Sequence, residues 1–139
     1  MKYWKDEIEP VTAFVKLFEA AFRDESLARE IKKVNQLVWF DYTQSGPNCS
    51  FYIDSRNGNM KVKAGKPDER PDLVLSLSAD DGHLAWSNRL RILSAMLRNR
   101  LRVKGPTRAI KKLSPVLTKI SKIYARVLME LGWEDKIIK

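Results

Sequence analysis

The chain has one cysteine and one histidine among 139 residues. Cys49 alone cannot close an intramolecular disulfide, and a solitary thiol fits a reducing compartment. Cys49 and His83 form no cluster with the spacing of a zinc site. No third group or oxyanion-hole loop accompanies them to build a nucleophilic dyad. The glycines are few, and Gly58, Gly65 and Gly105 read as isolated turn residues rather than a phosphate-cradling loop. No apolar run approaches the ~18 residues of a membrane span. The opening Met1-Lys2-Tyr3-Trp4-Lys5-Asp6-Glu7 lacks a secretory apolar region, and Lys136-Ile137-Ile138-Lys139 spells no peroxisomal signal, so the expected compartment is the cytoplasm. No cofactor, metal or catalytic group is expected.

Acidic residues are also missing from one long window. Gly82 to Met129 contains no Asp or Glu and twelve Lys or Arg, from Arg89 to Arg126. The rest of the chain holds 14 basic against 17 acidic residues, so the whole formal charge of +9 comes from this third of the molecule. A segregated basic surface suits nucleic acid, an anionic membrane or an acidic ligand. At 44% hydrophobic and 31% charged, the chain has the composition of one soluble globular domain with a core of its own.

The apolar periodicity predicts helix, then strands, then helices with one strand between them. Val11, Phe14, Val15, Phe18, Ala21 and Phe22 recur at helical steps, with Pro10 in the first turn. Asp24-Glu25-Ser26 breaks the pattern, and Leu27, Ile31 and Val34 fit a second helix. Gln36–Thr43 alternates with apolar residues on both faces, as a central strand does. Strands around Phe51 and around Val62 follow, joined by the hairpin signal Asn57-Gly58, with Lys61 and Lys63 marking an edge. Together these three make an antiparallel meander. Pro71-Asp72 opens a fourth strand over Leu73–Ser78, and Ser78-Ala79-Asp80-Asp81 resembles a capping box ahead of a helix over Ala79–Trp86. Asn88 is placed as the cap of another helix, with Leu90, Leu93 and Leu97 on one stripe and Ile92 and Met96 beside it. A fifth strand covers Leu101 and Val103. The stripe Ile110, Leu113, Leu117, Ile120, Tyr124, Val127 and Leu131 is divided into two helices at Pro115, with Ser114 as cap, and Gly132 suits a helix C-terminus.

Candidate chemistry divides between apolar and basic residues. His83, just after a capping motif, is expected at the surface or in the cap, and Asp80 and Asp81 suit the start of a helix. Arg100, Arg102 and Lys104 form a basic strand face, with Arg98, Arg108, Lys111 and Lys112 placed beside it. Binding of nucleic acid is disfavoured because aromatics are absent from that strand, whereas base-stacking platforms interleave them with basic residues. The alternative to a lipid reading is a basic interaction module, with a fully packed core, that takes nucleic acid or an acidic protein.

Pro71-Asp72-Leu73-Val74-Leu75-Ser76-Leu77-Ser78-Ala79-Asp80-Asp81, then Ser94-Ala95-Met96-Leu97, Arg100-Leu101-Arg102-Val103-Lys104-Gly105 and Ala109–Leu113 resemble the sterol carrier protein type 2 (sterol-binding domain) family. The likeness covers residues 10–131 of a single domain spanning 1–139. It implies an α+β fold, a five-stranded, mainly antiparallel sheet with helices packed on one face. It also implies a non-catalytic apolar tunnel between sheet and helices for sterols, fatty acyl chains, acyl-CoA or phospholipids. Asn99 replaces the family's usual glycine, and Pro106-Thr107-Arg108 replace small polar residues; both bear on tunnel shape. On this reading Trp86, Leu90, Leu93, Met96 and Leu97 line or close the pocket with Leu101, Val103, Ile110, Leu117 and Ile120. The basic face would hold an anionic headgroup or meet an anionic membrane transiently.

Overall fold

A computed structural model describes all 139 residues. Its strands are β1 (Leu37–Asp41), β2 (Ser50–Asp54), β3 (Lys61–Ala64), β4 (Leu73–Ser76) and β5 (Arg102–Lys104), arranged β3-β2-β1-β4-β5. β1 is central, as its two apolar faces require. It pairs antiparallel with β2 and parallel with β4, and the remaining pairings are antiparallel. Asp72 sets the parallel register at its start. Its backbone N–H donates to the Leu37 carbonyl at 2.9 Å, and its carboxylate accepts from the Leu37 N–H at 2.8 Å. At Gly105 φ is +131°, and a Cβ there would strike the Asp72 carbonyl, so only glycine closes this corner.

The helices are α1 (Ile8–Arg23), α2 (Glu25–Val34), α3 (Ala79–Trp86), α4 (Ile92–Leu97) and α5 (Thr107–Glu130). Asp24 ends the first and caps the second, its carboxylate accepting from the Leu27 N–H at 2.9 Å. Phe14, Phe18, Leu27 and Ile31 are buried in the same core as Val38, Phe40, Phe51, Ile53 and Leu75 of the sheet. The other sheet face carries Trp39, Tyr52, Val74, Arg102 and Lys104. The β3–β4 connection folds over part of it, with Pro67 buried and Lys66 stacked 5.2 Å above the Trp39 ring.

Four expectations are corrected. The C-terminal stripe is one helix of 24 residues that runs through Pro115. Proline there withholds one N–H from the Lys111 carbonyl, at a cost of ~3 kcal/mol. Lys111 itself is exposed on the outer side of the helix. Leu113, Val116, Ile120, Ile123, Tyr124, Val127 and Leu128 are buried along the helix, each contributing roughly 1.5–3 kcal/mol, so packing outweighs the break. Ser114 is an exposed interior residue, not a cap.

Asn88 does not cap α4. It adopts φ +59° in the turn after α3, and Arg91 precedes α4 without a side-chain cap. Ser78 does cap α3, accepting from the Asp81 N–H at 3.0 Å, but no bond returns. Instead the Asp81 carboxylate forms a two-armed ion pair with Arg100, and Asp80 accepts from the N–H groups of Lys2 and Tyr3. His83 is fully buried rather than at the surface. Gly132, at φ +77°, does terminate α5: its N–H bonds Met129 and the Trp133 N–H bonds Leu128, the paired bonds of a Schellman motif.

Candidate functional site

Strand alternation turns Phe40 of β1 and Leu75 of β4 toward the helices, and Tyr42 and Leu77 continue the two rows past the strand ends. Opposite them, α3 supplies Ala85 and Trp86, α4 supplies Ile92, and α5 supplies Leu113, Val116 and Leu117. Leu101 closes the side next to β5. These eleven residues enclose a cavity of about 40 Å³ whose lining contains no charged residue. The Trp86 indole stands edge-on to Phe18 at 5.3 Å and to Phe40 at 5.4 Å. Its N–H faces the Tyr42 phenol but makes no hydrogen bond of acceptable geometry. Burial raises the Tyr42 phenol far above its ordinary range, so the hydroxyl stays neutral.

The volume defines the state. A water molecule takes ~30 Å³ of liquid, and organic ligands occupy pockets of ~300–1,000 Å³. The cavity is therefore too small for an acyl chain, whose admission requires one wall to move. The wall with least to lose is α4, whose only buried residue is Ala95. Its Ile92 and Met96 pack half-buried against the core.

Of the residues expected at the pocket, Trp86, Leu101 and Leu117 line this cavity. Ile110 and Ile120 are buried in the surrounding core, and Leu90, Met96 and Val103 pack half-buried against it. Leu93 and Leu97 face outward, 73% and 86% exposed. Phe40, Leu75 and Val116 were not anticipated as lining. Strand alternation and the three-residue step from Leu113 carried the signal for them.

The basic residues do not form one face. Arg102 and Lys104 lie on the open side of the sheet, while Arg108, Lys111 and Lys112 are exposed along the first turns of α5. Arg98 belongs to a hollow beside α4 with Arg89, Arg91 and Arg100. Arg100 is committed to Asp81, whose hydrogen bonds raise the guanidinium pKa further.

Neither Cys49 nor His83 is poised for nucleophilic chemistry. Burial pushes the Cys49 thiol up to about 11, so it stays protonated at neutral pH. Both ring nitrogens of His83 are engaged, Nδ1 by the Tyr124 hydroxyl at 2.6 Å and Nε2 by the Lys136 carbonyl at 2.9 Å.

Comparison with known proteins extends this geometry. Residues 14–118 match the profile of the SCP-2 sterol transfer family. The mouse hydroxysteroid dehydrogenase-like protein 2 is 27% identical over 105 residues, which is 74% of this chain and 21% of that protein. Mouse stomatin-like protein 1 is 36% identical over 73 residues, 52% of this chain and 18% of that one. The chain thus spans about a fifth of the length of these relatives. Among solved structures, sterol carrier protein domain 2 of Helicoverpa armigera superposes with a TM-score of 0.66 at 22% identity, covering 81% of this chain and 89% of that one. Apo sterol carrier protein 2 of Yarrowia lipolytica gives 0.57 at 21% identity, covering 82% and 88%. At these identities the structures share the fold.

Proposed function

The chain belongs to the SCP-2 sterol transfer family, and from that premise we propose that it carries a single apolar ligand in the cavity between sheet and helices. The ligand class is a fatty acyl chain, a phospholipid or a sterol-like lipid. Carriage is non-covalent: burial of a chain supplies affinity at roughly 0.8 kcal/mol per methylene, and helix movement admits and releases it. No residue performs a chemical step in this reading.

The observation that carries the proposal is the composition of the wall. A charge-free lining of eleven apolar side chains contains one buried donor, the Trp86 N–H, without a partner. A widened cavity of this kind rewards an apolar ligand. The reading takes the cavity to widen into a tunnel as α4 and the start of α5 shift. It takes the lone buried thiol to fit a cytoplasmic carrier, and the partner surface to be an anionic membrane. No helix is long and apolar enough to cross a membrane.

Titration with a fluorescent fatty acid, followed by displacement with unlabelled lipids, tests the proposal. A saturable signal with one site per chain supports it. No signal at micromolar probe and protein rejects it.

A second reading rests on the sheet face away from the helices, where Tyr52 and, beneath Lys66, Trp39 stand with Lys63, Arg102 and Lys104. Aromatics interleaved with cations suit single-stranded nucleic acid. A salt titration against mixed oligonucleotides discriminates the two, because phosphate binding falls linearly with log salt and binding in an apolar cavity does not.

A further inference from the structure

Two of the five large hydrophobic side chains left exposed on this protein sit together on α4. Leu93 and Leu97 are four residues apart, so they form one stripe on the outer side of the helix. Arg91, Ser94 and Arg98 form the adjacent stripe. With Arg89, Leu90, Ala95 and Arg100 they line a hollow of about 210 Å³.

The charges of that hollow are unspent. Arg89, Arg91 and Arg98 take part in none of the ion pairs of the molecule, and only Arg100 is neutralised, by Asp81. No Asp or Glu lines the hollow, and none occurs in the chain from Gly82 to Met129. An apolar stripe flanked by unpaired arginines is the arrangement of a segment that lies in a lipid headgroup layer. Soluble anions alone would leave Leu93 and Leu97 without a role.

We propose that α4, with Arg89, Arg91 and Arg98, is the surface by which this protein docks on an anionic bilayer. Leu93 and Leu97 enter the headgroup–acyl boundary, and the three guanidinium groups take phosphate or carboxylate oxygens of the lipids. The inner side of the same helix presents Ile92 to the small apolar cavity. Docking therefore grips the one wall element that holds the cavity shut with least burial. Membrane contact thereby eases the helix movement that opens the cavity. The coupling rests on the carrier reading, whereas the docking itself does not.

Sedimentation of the full chain with vesicles of phosphatidylcholine, with and without phosphatidylserine, tests the proposal. Fluorescent fatty-acid binding is measured on the same proteins in the absence of vesicles. The wild type is expected to sediment with the anionic vesicles only, and less so as salt rises. Each arginine neutralised weakens partitioning about fivefold, so R89Q with R91Q and R98Q loses about a hundredfold. L93S with L97S loses partitioning at least tenfold. Both sets change exposed side chains, so thermal midpoints and fatty-acid affinity stay at wild-type values. Unchanged vesicle binding in both sets, or no vesicle binding by the wild type, overturns docking while leaving carriage intact. Vesicle binding that is lost in the variants, in a protein that takes up no fatty acid, supports docking and rejects carriage. Binding weakened by the arginine changes but not by the leucine changes, and competed by inorganic phosphate, identifies a soluble-anion pocket and overturns the bilayer assignment.

Discussion

The hydroxyl of Tyr124 in α5 donates to Nδ1 of His83 in α3 across 2.6 Å, within the core. The direction follows from the other ring nitrogen. Nε2 lies 2.9 Å from the Lys136 carbonyl, which can only accept, so Nε2 carries the proton and Nδ1 is the acceptor. Both chain ends converge on this ring. Tyr3 and Trp4 pack on it at 4.5 and 5.2 Å, and the Lys136 ammonium donates to the Tyr3 carbonyl at 2.7 Å. A second proton on His83 would make the Tyr124 hydroxyl the acceptor and leave the Tyr124 proton without this partner.

The fold should therefore weaken in mild acid. Burial lowers the His83 pKa from 6.5 to about 4; the hydrogen bond to the Lys136 carbonyl opposes it, the Lys136 charge adds to it and Asp80 opposes it slightly. The folded value lies below the unfolded one, so the contribution is complete above pH 6.5 and is lost as pH falls toward 4. The loss is on the order of 3 kcal/mol. Asp54, held below the ordinary carboxylate range by hydrogen bonds from Arg56, adds its own loss only beneath that window. The thermal midpoint of the wild type is expected to drop between pH 6.5 and 4. His83→Gln should start lower and show a flatter profile, and a flat wild-type profile would refute the assignment.

Gly82→Ala should destabilise the protein by about 1–3 kcal/mol, although alanine is the better helix former by ~1 kcal/mol. A Cβ at Gly82 would sit 2.6 Å from the Tyr42 ring, which is buried in the core and must shift to admit it. Urea denaturation measures the sign, and a gain in stability would show that the ring yields.

Pro115→Ala should act in the opposite sense. It restores the N–H donor to the Lys111 carbonyl inside a continuous helix, and the gain is partly offset by a freer unfolded chain, leaving about 1–2 kcal/mol. A higher urea midpoint is the expected result. A lower one would mean that α5 is bent at this point to fit its neighbours.

Some of this architecture was legible from residue order and some was not. Apolar residues on both sides of Val38–Phe40 placed β1 at the centre, and Ser78 announced α3, because alternation and capping are local properties. Asn99 keeps the left-handed turn before β5 at φ +57°, a conformation asparagine tolerates, so replacing glycine there left the chain path intact. The α4 leucines misled. Leu90, Leu93 and Leu97 recur at helical steps, but periodicity cannot say whether a neighbour covers the stripe: Leu90 packs half-buried against the core, and Leu93 and Leu97 are left exposed. His83, Asp81 and Arg100 were opaque for the same reason: their partners lie 41 and 19 residues away. Pro115 carried a local signal that tertiary packing overrode.

Ala85→Phe offers a direct perturbation of the cavity. Ala85 lines it and is half-buried, so a phenyl ring can fill about 40 Å³ while its edge stays near solvent. Fatty-acid affinity is expected to fall at least tenfold with the far-ultraviolet circular dichroism unchanged. Affinity equal to the wild type would place the ligand elsewhere.

Native mass spectrometry of the chain incubated with excess fatty acid tests the account most directly. A single acyl adduct per chain, absent from Ala85→Phe, is the result expected of a carrier whose ligand occupies the space beside Trp86. A spectrum showing only the bare chain at saturating lipid, for a folded wild type, would contradict it.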